Sequence, residues 1–236
     1  MSRPRTVTTI QAGAPAALRR YLGRLRPALL ALLAVALVGC APWTIRPIAA
    51  PGSTQAGGII PGKADFSAKA YVSSIWASQV LPTVQAQAAD LSTVLAALKA
   101  SPEAAKQKYG HREGQRPYNF LVKGEAKVLA VDTASRSGTL KLDLAPGDGQ
   151  PDATIQIGPV LKGTSLRDAL PFIQFNQFTN QLAYADVSNE LSDHVLKDVI
   201  GALDLAGLQG KTIEFAGAFT LGGSTVLITP VKLQAK

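Results

Sequence analysis

"NFLVKGEAKVLAVDTASRSGTLKLDLAPGDGQPDATIQIG", residues 119–158, sets the fold class, because its hydrophobic period is two. Residues 119–132 read as one strand, with Gly124 as a bulge or bend. "SRSG" (135–138) is a turn, and in "TLKLDL" (139–144) Leu140, Leu142 and Leu144 share one face of a second strand. "APGDGQPD" (145–152) is a second turn region, and "ATIQIG" (153–158) a third strand.

Beyond residue 158 the pattern becomes helical. Ser165 reads as a helix cap, with Asp168 three positions on in a capping-box-like spacing. Val187, Leu191, Val195 and Val199 recur every four residues. "KTIEFAGAFTL" (211–221) and "TVLITPVKL" (225–233) are two further strands joined by a Gly-Gly-Ser turn. Three strands, a helical insert and two strands is the order of an OB-like barrel. The expected class is therefore α+β: an OB-like five-stranded β-barrel, a helical insert between its third and fourth strands, and a helical segment before it. Strand order alone leaves closure open.

That preceding segment spans 66–108. Val72, Ile75, Trp76 and Val80 form one apolar stripe, and Val84, Ala88, Leu91, Leu95 and Leu98 resume it after Pro82, which is expected to kink or divide the helix. Ser101-Pro102 restarts a short helix and Gly110 stops it. The barrel occupies 117–236, and residues 65–236 read as one domain.

The first 39 residues differ in kind. They carry Arg3, Arg5, Arg19, Arg20, Arg24 and Arg26, no acid, and an apolar run from Ala28 to Val38. That is a secretory-signal layout, and the run is short of the roughly 20 apolar residues a spanning helix requires. Leu37-Val38-Gly39-Cys40 resembles a bacterial lipobox, in which the cysteine sulfur receives a diacylglycerol and becomes the first mature residue. Cys40 is the only cysteine in the chain. Residues 40–64, rich in Pro, Gly, Ala and Ser, read as a lipidated tether. Six of the 24 basic residues precede Cys40, leaving 18 against 16 acids, so the net charge falls from +8 to about +2. No dense basic run remains for nucleic acid.

Candidate chemistry in the domain is sparse. Zinc spacing, a Gly-x-Ser-x-Gly elbow and a phosphate-binding loop are all missing from the sequence. Asp143, Asp148 and Asp152 surround glycines but lack a calcium-loop spacing, so a hairpin turn is expected. His194 reads as a surface or packing residue. "KYGHREGQRPYNF" (108–120) gathers His111, Arg112, Glu113, Arg116, Tyr118 and Asn119 in one polar and aromatic loop, the kind of segment that carries function. Between Gly163 and Leu182, Phe172, Phe175 and Phe178 alternate with Gln174, Asn176, Gln177, Asn180 and Gln181. Rings and amides of this kind can line a sugar cleft, but ordinary packing of the rings is favoured. The candidate ligand- or partner-binding residues are His111, Arg112, Tyr118, Asn119, Arg167, Gln177, Asn180 and Gln181. No catalytic residue, metal ligand or cofactor is assigned.

"FSAKAYVSSIWASQVLPTV", "KYGHREGQRPYNFLVKGEAKVLAVDTASRSGTLKLDL" (from Lys108), "IQIGPVLKGTSLRDALPFIQFNQFTNQLAYADVSNEL" and "EFAGAF" together resemble the DUF2291 family of predicted periplasmic lipoproteins, over nearly all of residues 66–233. The resemblance also covers the lipobox at Cys40. It implies no catalytic residues. It implies an accessory role beside ribose-type sugar ABC transporters, with a small sugar or transporter components as partners and the membrane reached through lipid on Cys40. The expected location is the periplasmic face of a bacterial membrane. Ala41, where an inner-membrane retention signal would place Asp, favours the outer membrane. The alternatives are an envelope carbohydrate-active enzyme with His111 as acid/base, and a purely structural envelope lipoprotein.

Overall fold

The computed structural model describes residues 66–223 and 225–236; the leader, Cys40 and the tether read from residues 1–64 lie outside them. Ser67 caps α1 (Ala68–Ile75), accepting from the Ala70 N–H at 3.2 Å. Val72, Ile75, Trp76, Val80 and Val84 are buried along one face, as the stripe requires. The chain runs through a π turn at Trp76–Val80 into α2 (Leu81–Gln87). In the π turn the Leu81 N–H reaches back five residues to the Trp76 carbonyl. Pro82 follows directly and has no N–H of its own, so the widened turn falls where an α-helical ladder could not continue undisturbed.

The apolar stripe does not continue as one helix to Leu98. Ala88 turns extended (ψ 123°), and β1 (Ala89–Asp90) pairs parallel with the next long strand. Asp90 then caps α3 (Leu91–Ala100), accepting from Thr93 N–H at 2.9 Å. An aspartate there favours a cap over a helix interior. Pro102 opens α4 (Pro102–Tyr109), which ends at Gly110, and β2 (Gly110–His111) returns antiparallel along the long strand.

Five strands make the barrel: β3 (Asn119–Asp132), β4 (Thr139–Leu144), β5 (Ala153–Gln156), β6 (Thr212–Thr220) and β7 (Val226–Ala235). β3–β4, β4–β5, β6–β7 and β3–β6 are antiparallel, and β5–β7 is parallel. The β3–β6 ladder, from Asn119↔Thr220 to Lys127↔Thr212, closes the ring and leaves a mixed five-stranded barrel. Inside, Phe120, Phe215, Phe219, Leu140, Leu142, Ile155, Ile213 and Ile228 are fully buried. Each such side chain contributes about 1.5–3 kcal/mol of apolar transfer. Phe120 and Phe219 stack at 5.0 Å with planes 10° apart.

Gly124 is not a bulge. It pairs in register with Phe215, whose ring would lie 3.3 Å from a Cβ at that position, so the glycine accommodates the ring. The β3 irregularity lies instead between Val128 and Ala130. β5 is shorter than 153–158 because Ile157 and Gly158 leave the ladder and both donate to the Gly138 carbonyl, at 2.8 and 3.0 Å. In the 145–152 turn the acids serve the backbone. Asp143 accepts from Asp148 and Gly149 N–H, and Asp152 accepts from Leu144 N–H.

The insert holds α5 (Ser165–Ala169), a 3-10 turn at Phe175–Gln177, and α6 (Gln181–His194), which widens into a π turn at Val195–Ile200. Val187, Leu191 and Val195 are buried as spaced, but the π turn advances the face by one residue, burying Ile200 in preference to Val199. α1 packs on α6, and Trp76 stacks on His194 at 5.0 Å. His194 Nδ1 lies 2.7 Å from Asp198.

Candidate functional site

Ser165 does not cap α5; Thr164 precedes the helix and Ser165 is its first residue. The Ser165 hydroxyl is buried and lies 3.3 Å from the Ala218 carbonyl and 3.0 Å from Thr229 Oγ1. Thr229 also accepts from the buried Gln156 amide at 3.0 Å. These bonds pin α5 to β5, β6 and β7, and so fix the next two residues, Arg167 and Asp168.

Arg167 is 7% exposed. Its Nε and Nη2 both lie 2.7 Å from Asp168 Oδ1, and Nη1 donates to the Tyr184 carbonyl at 3.1 Å. Its guanidinium sits 3.7 Å from the Tyr184 ring centroid. Asp168 Oδ2 accepts from the Thr164 hydroxyl at 2.6 Å, and Oδ1 accepts from the Tyr184 hydroxyl at 3.1 Å. Arg116, from the 112–118 loop, donates to the Tyr184 hydroxyl oxygen at 2.9 Å and lies 3.3 Å from Glu113. Glu113 in turn accepts from the Phe175 N–H at 3.0 Å. The loop and the insert, far apart in sequence, are thus joined through Tyr184. Burial, and then the Asp168 carboxylate, push the Tyr184 phenol above its usual range, so it stays a neutral donor.

A cleft of about 280 Å³ opens at this junction, lined by His111, Arg112, Glu113, Asp168, Gln174 and Tyr184. A second, of about 360 Å³, is lined by Gln87, Lys108, Tyr109, His111 and Asn119. His111, on β2, borders both. The Arg112 guanidinium lies over the Tyr118 ring at 4.5 Å from its centroid.

His111, Arg112, Tyr118, Asn119 and Arg167 therefore gather at one end of the barrel. Asn119 is buried, with its oxygen on the Thr220 hydroxyl at 2.6 Å and its amide on the Pro117 carbonyl at 3.0 Å. It holds the start of β3. Gln177 and Asn180 spend their oxygens on the backbone: Gln177 on the Gln174 N–H at 3.0 Å, and Asn180 as the cap of α6 on the Ala183 N–H at 2.9 Å. Gln181, on the first turn of α6, is exposed. The phenylalanines divide as well. Phe178 is buried against Phe66, Tyr71 and Tyr184, whereas Phe175 meets the Tyr184 ring edge-on and stays 39% exposed. The residue that sequence reasoning missed is Tyr184, which organises the site. Among the described residues no group of three or more His, Cys, Asp or Glu is placed to hold a metal.

Among solved structures, the chain is similar to the crystal structure of an OB-fold protein from Thermotoga maritima. The TM-score is 0.62 at 18% sequence identity, over 73% of this chain and 100% of that one. At that identity the likeness shows the fold alone, and the fold is the five-stranded barrel described above. No curated protein matches the chain. A family model does, across residues 30–234, and by that match the chain belongs to the DUF2291 family of predicted periplasmic lipoproteins.

Proposed function

We propose that this protein is a lipid-anchored periplasmic binding lipoprotein, not an enzyme. Cys40 carries the lipid, and the His111 cleft receives a small ligand on behalf of a sugar ABC transporter. The carrying observation is the convergence at Tyr184. The 112–118 loop and the 163–182 segment, the two polar and aromatic stretches of the domain, are bonded into one cleft, through Arg116 and Glu113 on one side and Arg167, Asp168 and Phe175 on the other. Preformed concave sites with a few fixed polar groups are the usual form of small-ligand sites. Membership in a family of predicted periplasmic lipoproteins supports the anchored placement. Ala41 beside the lipidated cysteine favours the outer membrane.

Two measurements test this reading. Mass spectrometry of the membrane fraction should find the mature chain beginning at a diacylated Cys40; an intact leader with a free thiol would refute the anchor. A thermal-shift panel of pentoses and hexoses and their acid and phosphate derivatives should raise the melting temperature for at least one ligand. A flat panel would leave a structural envelope lipoprotein.

A further inference from the structure

The polar groups of the cleft fall into two sets. The first is closed on itself. Glu113 is occupied by the Phe175 N–H and Arg116, and Asp168 by Thr164, Tyr184 and Arg167. The carboxylates that line the cleft are thus already engaged by the protein's own donors, and Asn119 is engaged at both ends of its amide.

The second set is open, and it is cationic. Arg112 and Lys108 make no ion pair among the described residues. Each rests on a tyrosine: Arg112 at 4.5 Å from the Tyr118 centroid, and the Lys108 ammonium at 4.9 Å from that of Tyr109. Stacking holds a guanidinium in place while leaving its in-plane donors available for a bidentate anion. It also lowers the cost of ordering that side chain on binding. With Arg116 and Arg167, which bond to the lining residues Glu113, Asp168 and Tyr184, four cations stand against the two carboxylates of the two clefts.

A neutral sugar hydroxyl both donates and accepts, and is best met by a mixed set of partners. A surface whose carboxylates are already engaged and whose unpaired charged groups are an arginine fork and an ammonium matches a carboxylate or phosphate. We propose that the ligand is a small organic anion seated at His111, which borders both clefts, with its charged group between Arg112 of the first cleft and Lys108 of the second and its body reaching toward Tyr184. This rests on the reading of the His111 cleft as the binding site.

The test is titration calorimetry on the full chain in detergent with four probes: ribose, ribose 5-phosphate, glucose and gluconate. At least one anion should bind ten-fold or more tighter than its neutral counterpart and weaken as salt is raised. Gluconate alone would identify a carboxylate site, and ribose 5-phosphate alone a phosphate site. The exposed pair Lys108→Ala and Arg112→Ala should lose that binding ten-fold or more with an unchanged melting temperature. Arg136→Ala, an exposed arginine on the β3–β4 loop, should lose none. Neutral sugars binding as tightly as the anions would overturn the anion assignment while leaving the cleft a binding site. No binding by any probe would overturn both.

Discussion

The guanidinium of Arg167 lies 3.7 Å from the ring centroid of Tyr184 and donates to that residue's own carbonyl at 3.1 Å. One buried side chain thus holds both the face and the backbone of another, and with Asp168 it sets where the insert meets the 112–118 loop. Arg167→Ala removes the stacked cation and leaves Asp168, whose side chain is only 13% exposed, with two of its three donors. Losing one member of a buried charge pair costs about 3 kcal/mol or more when nothing else offsets the charge. Arg116, 3.7 Å from Asp168, offsets part of it, so a loss of about 2 kcal/mol is expected. Arg167→Lys cannot supply the fork and should recover only a small part. Urea unfolding measures both, and a loss below about 1 kcal/mol for the alanine variant would mean the pair is not structural.

Tyr184→Phe isolates the hydroxyl and should cost about 1 kcal/mol at neutral pH, a typical net hydrogen bond. Its pH dependence carries a sign. Burial, and then Asp168, raise the phenol above its usual value in the folded state. The stability linked to the neutral phenol is therefore fully present below the unfolded value of about 10 and is lost as pH rises through the folded one. The margin of the native protein over Tyr184→Phe should narrow as pH rises above about 10. Other titrating groups are common to both proteins and cancel in the difference. A margin that stays constant over that range would show that the hydroxyl is not sequestered.

Asp90 turns one apolar stripe into two helices. Asp90→Ala should cost about 1 kcal/mol through loss of the α3 cap, and Asp90→Asn less, since an asparagine can still cap. The Ser92 hydroxyl, followed by the Thr93 amide, holds the Asp90 carboxyl below its usual value, against an opposing effect of burial. That contribution is present above the unfolded value of about 3.9 and is lost as pH falls through the folded one. The aspartate protein should thus lose its advantage over Asp90→Asn in acid, in parallel thermal melts. An advantage unchanged into acid would rule out the charged cap.

These residues mark how far the sequence could be read. β4 was legible to its ends, 139–144, because the strict alternation of Leu140, Leu142 and Leu144 has one structural meaning. Asp90 was overlooked because the apolar stripe continues through it, and a local cap signal is weaker than a long period. Closure was not legible. Lys127 and Thr212 pair across a long insert, and no local pattern records which strand edge meets which. The binding loop stood out by composition, yet its partner did not. A tyrosine on an amphipathic helix looks like core, and Thr/Ser spacing before an acid looks like a cap. Only the folded chain shows Asp168 and Tyr184 turned toward Arg116 and Arg167.

Gly158 and Gly149 offer a contrast in what a methyl group meets. A Cβ on Gly158 would fall 2.1 Å from Gly138 N and 2.6 Å from the Arg136 carbonyl oxygen, both backbone atoms that cannot rotate away. That approach is where the chain leaves β5 and bonds twice to the Gly138 carbonyl. Gly158→Ala must therefore separate two backbone segments at the barrel rim, with an expected loss of about 3 kcal/mol or more. Gly149 has nothing within 4 Å of the same added atom, but its φ is +79°. Gly149→Ala meets only the left-handed backbone penalty of about 1–2 kcal/mol. The ordering follows from geometry: close backbone approach at one glycine, conformation alone at the other. Denaturant midpoints of the two variants measured side by side check it, and an equal or greater loss at Gly149 would refute the close approach of residues 138 and 158.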